Sequence, residues 1–490
     1  MSRRSLPWLL LLFVLFALYA LSAPAVINGD GVGYVRAARA DSAPVPGHLL
    51  YLPLLKLLMY LCPRHLVEAA RLVNALAGAL GVLCVYLAMG MLISDKRSAL
   101  FGSLGLALSH GYWVQAADVE TYALAALGVY STFLALCAFR ARPALARLAW
   151  IVLLATASAF VHVTNLLFLA CVAVGVGWPS KGVAIALRRR LAMATVACVV
   201  PLLVVVMAHA WVAMVKNGQS PPEAWAWFRG AGHGFVYLFR PYNLTSAIHG
   251  FAKALVFAPN VHEADISVTL GQFLFGLVPL GIGCGLVAFR ARSLPRLPLA
   301  MLIAWAAPYI VIGILFFGDD SERWIFVLPV FWLLVAAALQ ASRPTRMGMH
   351  LVAYLAIVNL VTAVIPGKAE ITARWKARAV DGLVSSGDLV VFPGHDWDEY
   401  IGFYDERDIS VFPLAFHVGS RGKDNALSYL EDQVRWTRGR DGQVFVVRVL
   451  DDDPGPRGWD ELHLLGFPRK EAAAYFRDHH DPVRLEPVRG

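Results

Sequence analysis

Long, nearly charge-free apolar runs recur along the first three quarters of the chain. They lie near residues 6–27, 67–92, 98–115, 121–139, 148–162, 163–179, 191–215, 267–289, 297–317, 324–341 and 348–366. At about 20 residues per span, this pattern predicts about 11 transmembrane helices, an α-helical polytopic membrane protein. Residues 49–61 (LLYLPLLKLLMYL) are apolar but short, and Pro53 and Lys56 interrupt them. An interfacial helix in the outer leaflet is the expectation there, because a true span would invert every later loop. The first run follows Arg3 and Arg4 and ends in Ser22-Ala23-Pro24-Ala25, as a cleavable signal would. Its length is enough to cross the membrane, so a retained span is expected.

After Pro366-Gly367 the pattern changes. Residues 388–393, 409–413 and 443–450 are short β-branched runs that predict strands, while 422–438 and 468–477 predict helices with polar faces. The expected organisation is a transmembrane domain over 1–366 and an extracytoplasmic soluble α/β domain over 367–490. No internal repeat or low-complexity linker separates them.

Composition strengthens the membrane assignment. Hydrophobic residues make up 58% of the chain and charged residues 16%, against about 45–50% and about 25% in soluble domains. The six cysteines form no disulfide framework, since Cys84, Cys137, Cys171, Cys198 and Cys284 sit inside apolar runs as small hydrophobes. The net charge of +9 divides unevenly: residues 1–366 carry +14 and residues 367–490 carry −5. If Arg3 and Arg4 are cytoplasmic, the loops on that side hold sixteen basic residues and one acid, Asp95. That bias predicts a cytoplasmic N-terminus and an external tail, with the protein integral to a bacterial inner membrane. It also explains the high pI without nucleic acid as a partner.

Charged groups near the bilayer are costly, so the acids beside outer helix ends are the candidate chemistry. Asp30 stands in Asn28-Gly29-Asp30-Gly31-Val32-Gly33-Tyr34; Asp118 and Glu120 stand in Asp118-Val119-Glu120-Thr121-Tyr122; Asp319, Asp320, Glu322 and Arg323 fill one short turn. By the expected topology all three groups open outward. Simpler roles compete: solvation for Asp319 and Asp320, helix capping for Glu120, an interhelical hydrogen bond for His162. The glycines around Asp30 follow no strand and are not a nucleotide fingerprint. In the loop 216–266, aromatic residues such as Trp225, Trp227 and Tyr237 fit headgroup anchoring or a groove for a lipid chain or acceptor.

An outside Asp after the first span is followed by Pro46-Gly47-His48-Leu49-Leu50-Tyr51, then Arg71-Leu72-Val73-Asn74. Further on come Trp113 with Asp118-Val119-Glu120-Thr121-Tyr122, and His162-Val163-Thr164. In this order the motifs resemble the protein O-mannosyltransferase-like branch of the GT-C glycosyltransferases, mainly over residues 1–180. The resemblance implies a polyprenyl-phosphate-linked sugar as donor, with Asp30 at the catalytic centre. Two departures stand out. The family's His-Pro-Pro-Gly-Tyr is replaced by Pro44-Val45-Pro46-Gly47-His48, and Gly31 follows Asp30 where a second acid is usual.

Transfer from such a donor needs a base for the acceptor hydroxyl and cations for the departing phosphate. Asp30 suits the first role; Arg323, with Arg240 and Lys253 behind it, suits the second. Glu120 and Asp118 suit orientation of the acceptor or a divalent cation, the metal requirement being open. His48, Tyr51, Asn74, Tyr122, His162 and Glu322 complete the expected substrate-binding set. The expected function is sugar transfer on the extracytoplasmic face to a protein, lipid or glycan acceptor, with membrane lipid as surroundings. Rival classes are a transporter or lipid flippase, which would place charges mid-helix, and a non-catalytic envelope scaffold.

Overall fold

The structure, a computed structural model, describes residues 6–40, 42, 47–179, 186–230, 243–257, 281–283, 285, 296–315, 318, 320–342, 345–368, 382–392, 400–403, 407, 409–414, 417–418, 422–447, 471, 474–475 and 483–485. The described helices of eight residues or more are α1 (Leu6–Leu21), α2 (Gly29–Arg39), α3 (Tyr51–Leu61), α4 (Leu66–Leu92), α5 (Lys96–Leu108), α6 (His110–Ala117), α7 (Tyr122–Ala141), α8 (Leu145–Val161), α9 (Leu169–Gly177), α10 (Leu187–Trp211), α11 (Pro221–Gly230), α12 (Asn243–Leu255), α13 (Arg296–Leu315), α14 (Leu328–Ser342), α15 (Thr345–Asn359) and α16 (Lys423–Arg438). The chain divides into two compact units, residues 1–24 with 37–368, and residues 25–36 with 369–490.

The first unit is a helical membrane bundle. Five described stretches are long and apolar enough to cross a bilayer: Pro63–Leu92, Tyr122–Ala141, Leu187–Lys216, Arg296–Leu315 and Arg346–Gly367. Five shorter apolar helices accompany them. The expected span at 267–289 lies outside the described residues except for 281–283 and 285.

At the centre, α4 packs against α7 and α1, and α7 against α8. Small residues let the backbones approach, which is how helices associate where lipid tails offer no hydrophobic gain. A Cβ at Gly78 would stand 2.5 Å from the Cβ of Ala116, and one at Gly81 would stand 2.4 Å from the Tyr112 hydroxyl. That hydroxyl donates to the Gly78 carbonyl at 2.8 Å, using the space the glycines leave.

Several expected spans are interrupted. The run 98–115 is not one helix: Ser109 adopts an extended backbone and separates α5 from α6. In a bilayer a break must be satisfied by other protein groups. Ser109 Oγ donates to Gly105 O at 2.7 Å and accepts from Trp332 Nε1 at 2.9 Å. Asn359, buried on α15, donates from Nδ2 to Leu108 O at 2.7 Å and to Leu255 O at 2.9 Å, and its Oδ1 accepts from Phe257 N at 3.1 Å. The run 163–179 opens with a 3₁₀ segment, Val163–Phe168, before α9, and another, Ser321–Phe326, precedes α14.

The second unit holds a four-stranded parallel sheet in the order β2-β1-β3-β4, with β1 Leu389–Phe392, β2 Ser410–Pro413, β3 Val444–Val447 and β4 Val483–Leu485. Every residue of β1 is buried, as a central parallel strand requires. Leu389, Val391, Val444 and Val446 pack with Ala426, Leu430 and Val434 of α16. Residues 25–36 belong here through two polar ties: Tyr400 donates from its hydroxyl to Ile27 O at 2.8 Å, and Arg36 binds Ile401 O beside the Phe403 ring. The expected helix 468–477 lies outside the described residues apart from Glu471 and residues 474–475.

Candidate functional site

The polar centre of the first unit forms where α6 ends and α7 begins. Asp118 closes α6 in an extended conformation, and residues 118–121 cross to the start of α7. Asp118 and Glu120 are 2% and 0% exposed, a burial that charged side chains rarely reach without partners. Arg71 supplies one partner. Its Nε and Nη2 both reach Asp118 Oδ1 at 3.2 Å. Asn74, one turn along α4 and on the same face, donates from Nδ2 to the carbonyls of Asp118 at 2.7 Å and Glu120 at 2.6 Å. The Glu120 carboxylate accepts from Thr121 N at 3.1 Å. Tyr51 of α3 is buried against Asn74 within electrostatic range of Glu120 and Asp118.

A second group adjoins the first. Gly47, at φ 92°, takes a left-handed turn open to glycine but strained for other residues. The strap it begins is zipped to the end of α8: Val163 N donates to Gly47 O at 3.0 Å, Leu50 N to Phe160 O at 2.9 Å, and His48 Nδ1 to Val161 O at 3.1 Å. The His48 ring meets His162 edge-on at 4.7 Å between centroids. His162 Nδ1 accepts from the Thr164 hydroxyl at 2.7 Å and from Thr164 N at 3.3 Å, which places the neutral ring's proton on Nε2. Burial pulls His48 below the ordinary imidazole range, partly offset by its bond to the Val161 carbonyl.

Tyr122 joins the groups. Its ring lies 5.2 Å from His162 and 6.3 Å from Phe326, and its hydroxyl is within electrostatic range of Glu322, Asp320, Arg323 and Glu120. In the 3₁₀ turn Glu322 accepts from Gln115 Nε2 at 2.8 Å, and Arg323 pairs with Asp320 at 3.5 Å. Gln115 Oε1 and Trp113 Nε1 are buried with no hydrogen-bond partner among the described residues. Gln115 Oε1 belongs to the amide that binds Glu322, and an open acceptor beside an acid is what a polar ligand would satisfy.

The fold thus gathers Tyr51, Asn74, Asp118, Glu120, Tyr122, His48, His162, Glu322 and Arg323 within one unit. Lys253 lies in the same unit, within electrostatic range of His110. Asp30 belongs to the second unit, in the first turn of α2, where it is exposed; Asn28 caps that helix by accepting from Gly31 N at 2.7 Å. Arg240 and Asp319 lie outside the described residues. Sequence reasoning passed over Arg71 and Gln115 as site residues. The three-residue spacing of Arg71 and Asn74 on one helix was the available signal. No group of three or more His, Cys, Asp or Glu with metal-holding geometry occurs among the described residues.

No family model matches the chain, and no curated protein matches it. Solved structures do. The crystal structure of ArnT from Cupriavidus metallidurans bound to undecaprenyl phosphate aligns at a TM-score of 0.56 with 14% identity, over 86% of this chain and 89% of that one. The crystal structure of an Archaeoglobus fulgidus oligosaccharyltransferase complex with Zn and sulfate aligns at 0.52 with 12% identity, over 96% of this chain and 70% of that one. At these identities the shared property is the fold.

Proposed function

We propose that this chain is a GT-C-type membrane glycosyltransferase that moves a sugar from a polyprenyl-phosphate donor to an acceptor on the extracytoplasmic face. The observation that carries this reading is the buried Asp118–Glu120 loop, held by Arg71 and Asn74 and bordered by unsatisfied polar atoms, in a fold shared with two GT-C glycosyltransferases. One of them holds undecaprenyl phosphate, which supports a polyprenyl phosphate as the lipid partner here.

In the reaction the acceptor oxygen attacks the anomeric carbon, its proton passes to a carboxylate, and the bond from that carbon to the phosphate oxygen breaks, releasing polyprenyl phosphate. Asp118 is a poor proton acceptor because the Arg71 guanidinium stabilises its charge. Glu120, fixed by its backbone and buried beside Tyr51 and Tyr122, suits binding and orientation of the acceptor. The sequence resemblance assigns the base to Asp30, whose exposed carboxylate is compatible with proton exchange. Arg323 is a cation for the leaving phosphate, a role in which a charge-assisted bond strengthens as negative charge develops. His48 and His162 form a neutral wall beside this turn. The O-mannosyltransferase-like branch is proposed on the motif order alone.

The test is a panel of polyprenyl-phosphate sugars given to the purified protein, with released polyprenyl phosphate and transferred sugar both measured. Turnover with one or more donors is expected. Absence of turnover with every donor, for protein shown to be folded, would refute the assignment.

A further inference from the structure

At the basic end of the bundle α7 finishes with Arg140 in its last turn, and α10 begins with Arg188, Arg189 and Arg190. Two guanidiniums converge there on one carbonyl oxygen. Arg140 Nη1 and Arg190 Nη1 both donate to Trp178 O, at 2.5 and 2.7 Å. Arg140 also reaches Gly175 O at 3.2 Å and Pro179 O at 3.3 Å. These are the terminal carbonyls of α9 and its exit, which have no donor within their own helix. The arginines therefore cap α9. Carbonyl dipoles do not cancel a full charge, and Arg140 has no carboxylate partner among the described residues. Its Nε is buried without an acceptor.

Beside Arg140 lies a cavity of about 300 Å³. Its wall is otherwise apolar, drawn from α4, α7 and α13 through Met91, Leu92, Cys137, Leu297 and Met301. A fixed cation on an apolar wall suits a ligand that joins an anion to hydrocarbon. A free anion would leave the wall to water, and a neutral lipid would leave Arg140 uncompensated. Basic pockets between membrane helices bind anionic headgroups for this reason. We propose that the cavity is a site for an anionic phospholipid of the adjoining leaflet, its phosphate against Arg140 and the start of an acyl chain within the cavity. The site is separate from the acid-lined centre and does not depend on the transfer reaction.

The test uses the purified full-length protein in neutral detergent, titrated with phosphatidylglycerol, phosphatidylcholine or inorganic phosphate, with thermal unfolding followed by tryptophan fluorescence. Phosphatidylglycerol should raise the midpoint saturably, and the other two should leave it unchanged. Arg140→Gln should weaken the phosphatidylglycerol response about tenfold. Because Arg140 also caps α9, Leu92→Trp separates the roles: it fills the cavity, leaves both guanidiniums in place, and should lose the response. Equal stabilisation by phosphatidylcholine or by inorganic phosphate, or an undiminished response in Leu92→Trp, overturns the proposal.

Discussion

Asn74 holds the carbonyls of Asp118 and Glu120 with one side-chain nitrogen, at 2.7 and 2.6 Å. Residues 44 and 46 positions apart in sequence are thereby fixed in register, and the acids between α6 and α7 are held in place by a neutral amide on α4.

Asn74→Leu should therefore strand two buried carbonyls, at about 1–3 kcal/mol each. Arg71→Met should be worse, about 3–5 kcal/mol, because Asp118 would keep a buried charge without its counterion; the two side chains are 15% and 3% exposed. Combining Arg71→Met with Asp118→Leu should recover much of the loss. Thermal unfolding of the three variants checks this, and a double variant as unstable as the single one would show that the charge is not the cause.

Asp30→Asn should abolish transfer while sparing folding and donor binding, since it removes a charge at constant size; loss of a general base typically costs about 10²–10⁴ in rate. Glu120→Gln should raise KM for the acceptor more than it lowers kcat, and Arg323→Ala should weaken donor binding. Normal turnover in Asp30→Asn would move the base to Glu120, since Arg71 holds Asp118 ionised.

His48 should make the fold acid-sensitive. Its folded-state pKa lies below the ordinary 6.5, so at higher pH it is neutral in both states and contributes nothing. As pH falls through 6.5 the unfolded chain takes up a proton that the folded one resists, and stability declines. His48→Gln removes this titration, so its melting temperature should fall less than the parent's over the same acid range.

The charge bias predicts an orientation. Cysteine placed at Gly218 should react with an impermeant thiol reagent from outside, and cysteine at Ser180, which lies outside the described residues, should not. Labelling at Ser180 in intact cells would reverse the topology.

The apolar runs made the membrane bundle legible, because twenty lipid-facing residues have few other uses. Its interruptions were not. Nothing at Ser109 marks a break; the break exists because Trp332 and Asn359, far along the chain, supply the missing partners. The acids Asp118 and Glu120 stood out as charges beside a span, and Asn74 and Tyr51 through the resemblance. Their mutual bonds depend on α4 and α3 reaching the same loop, which no local pattern encodes. In the sequence, residues 25–27 close the first apolar run and residues 28–34 simply follow it. Their affiliation with the second unit rests on Tyr400 and Arg36, again a matter of tertiary contact.

Asn359 also sets a schedule for synthesis. The Leu108 carbonyl that it satisfies was made 251 residues earlier. At ribosomal rates of about 5–20 residues per second, that interval is roughly 12–50 s. During it, the junction between α5 and α6 must be sheltered by the insertion machinery, by water or by a temporary continuous helix. A chain released before α15 is complete would keep an unsatisfied acceptor at its centre, giving quality-control proteases a means to distinguish it from the finished protein.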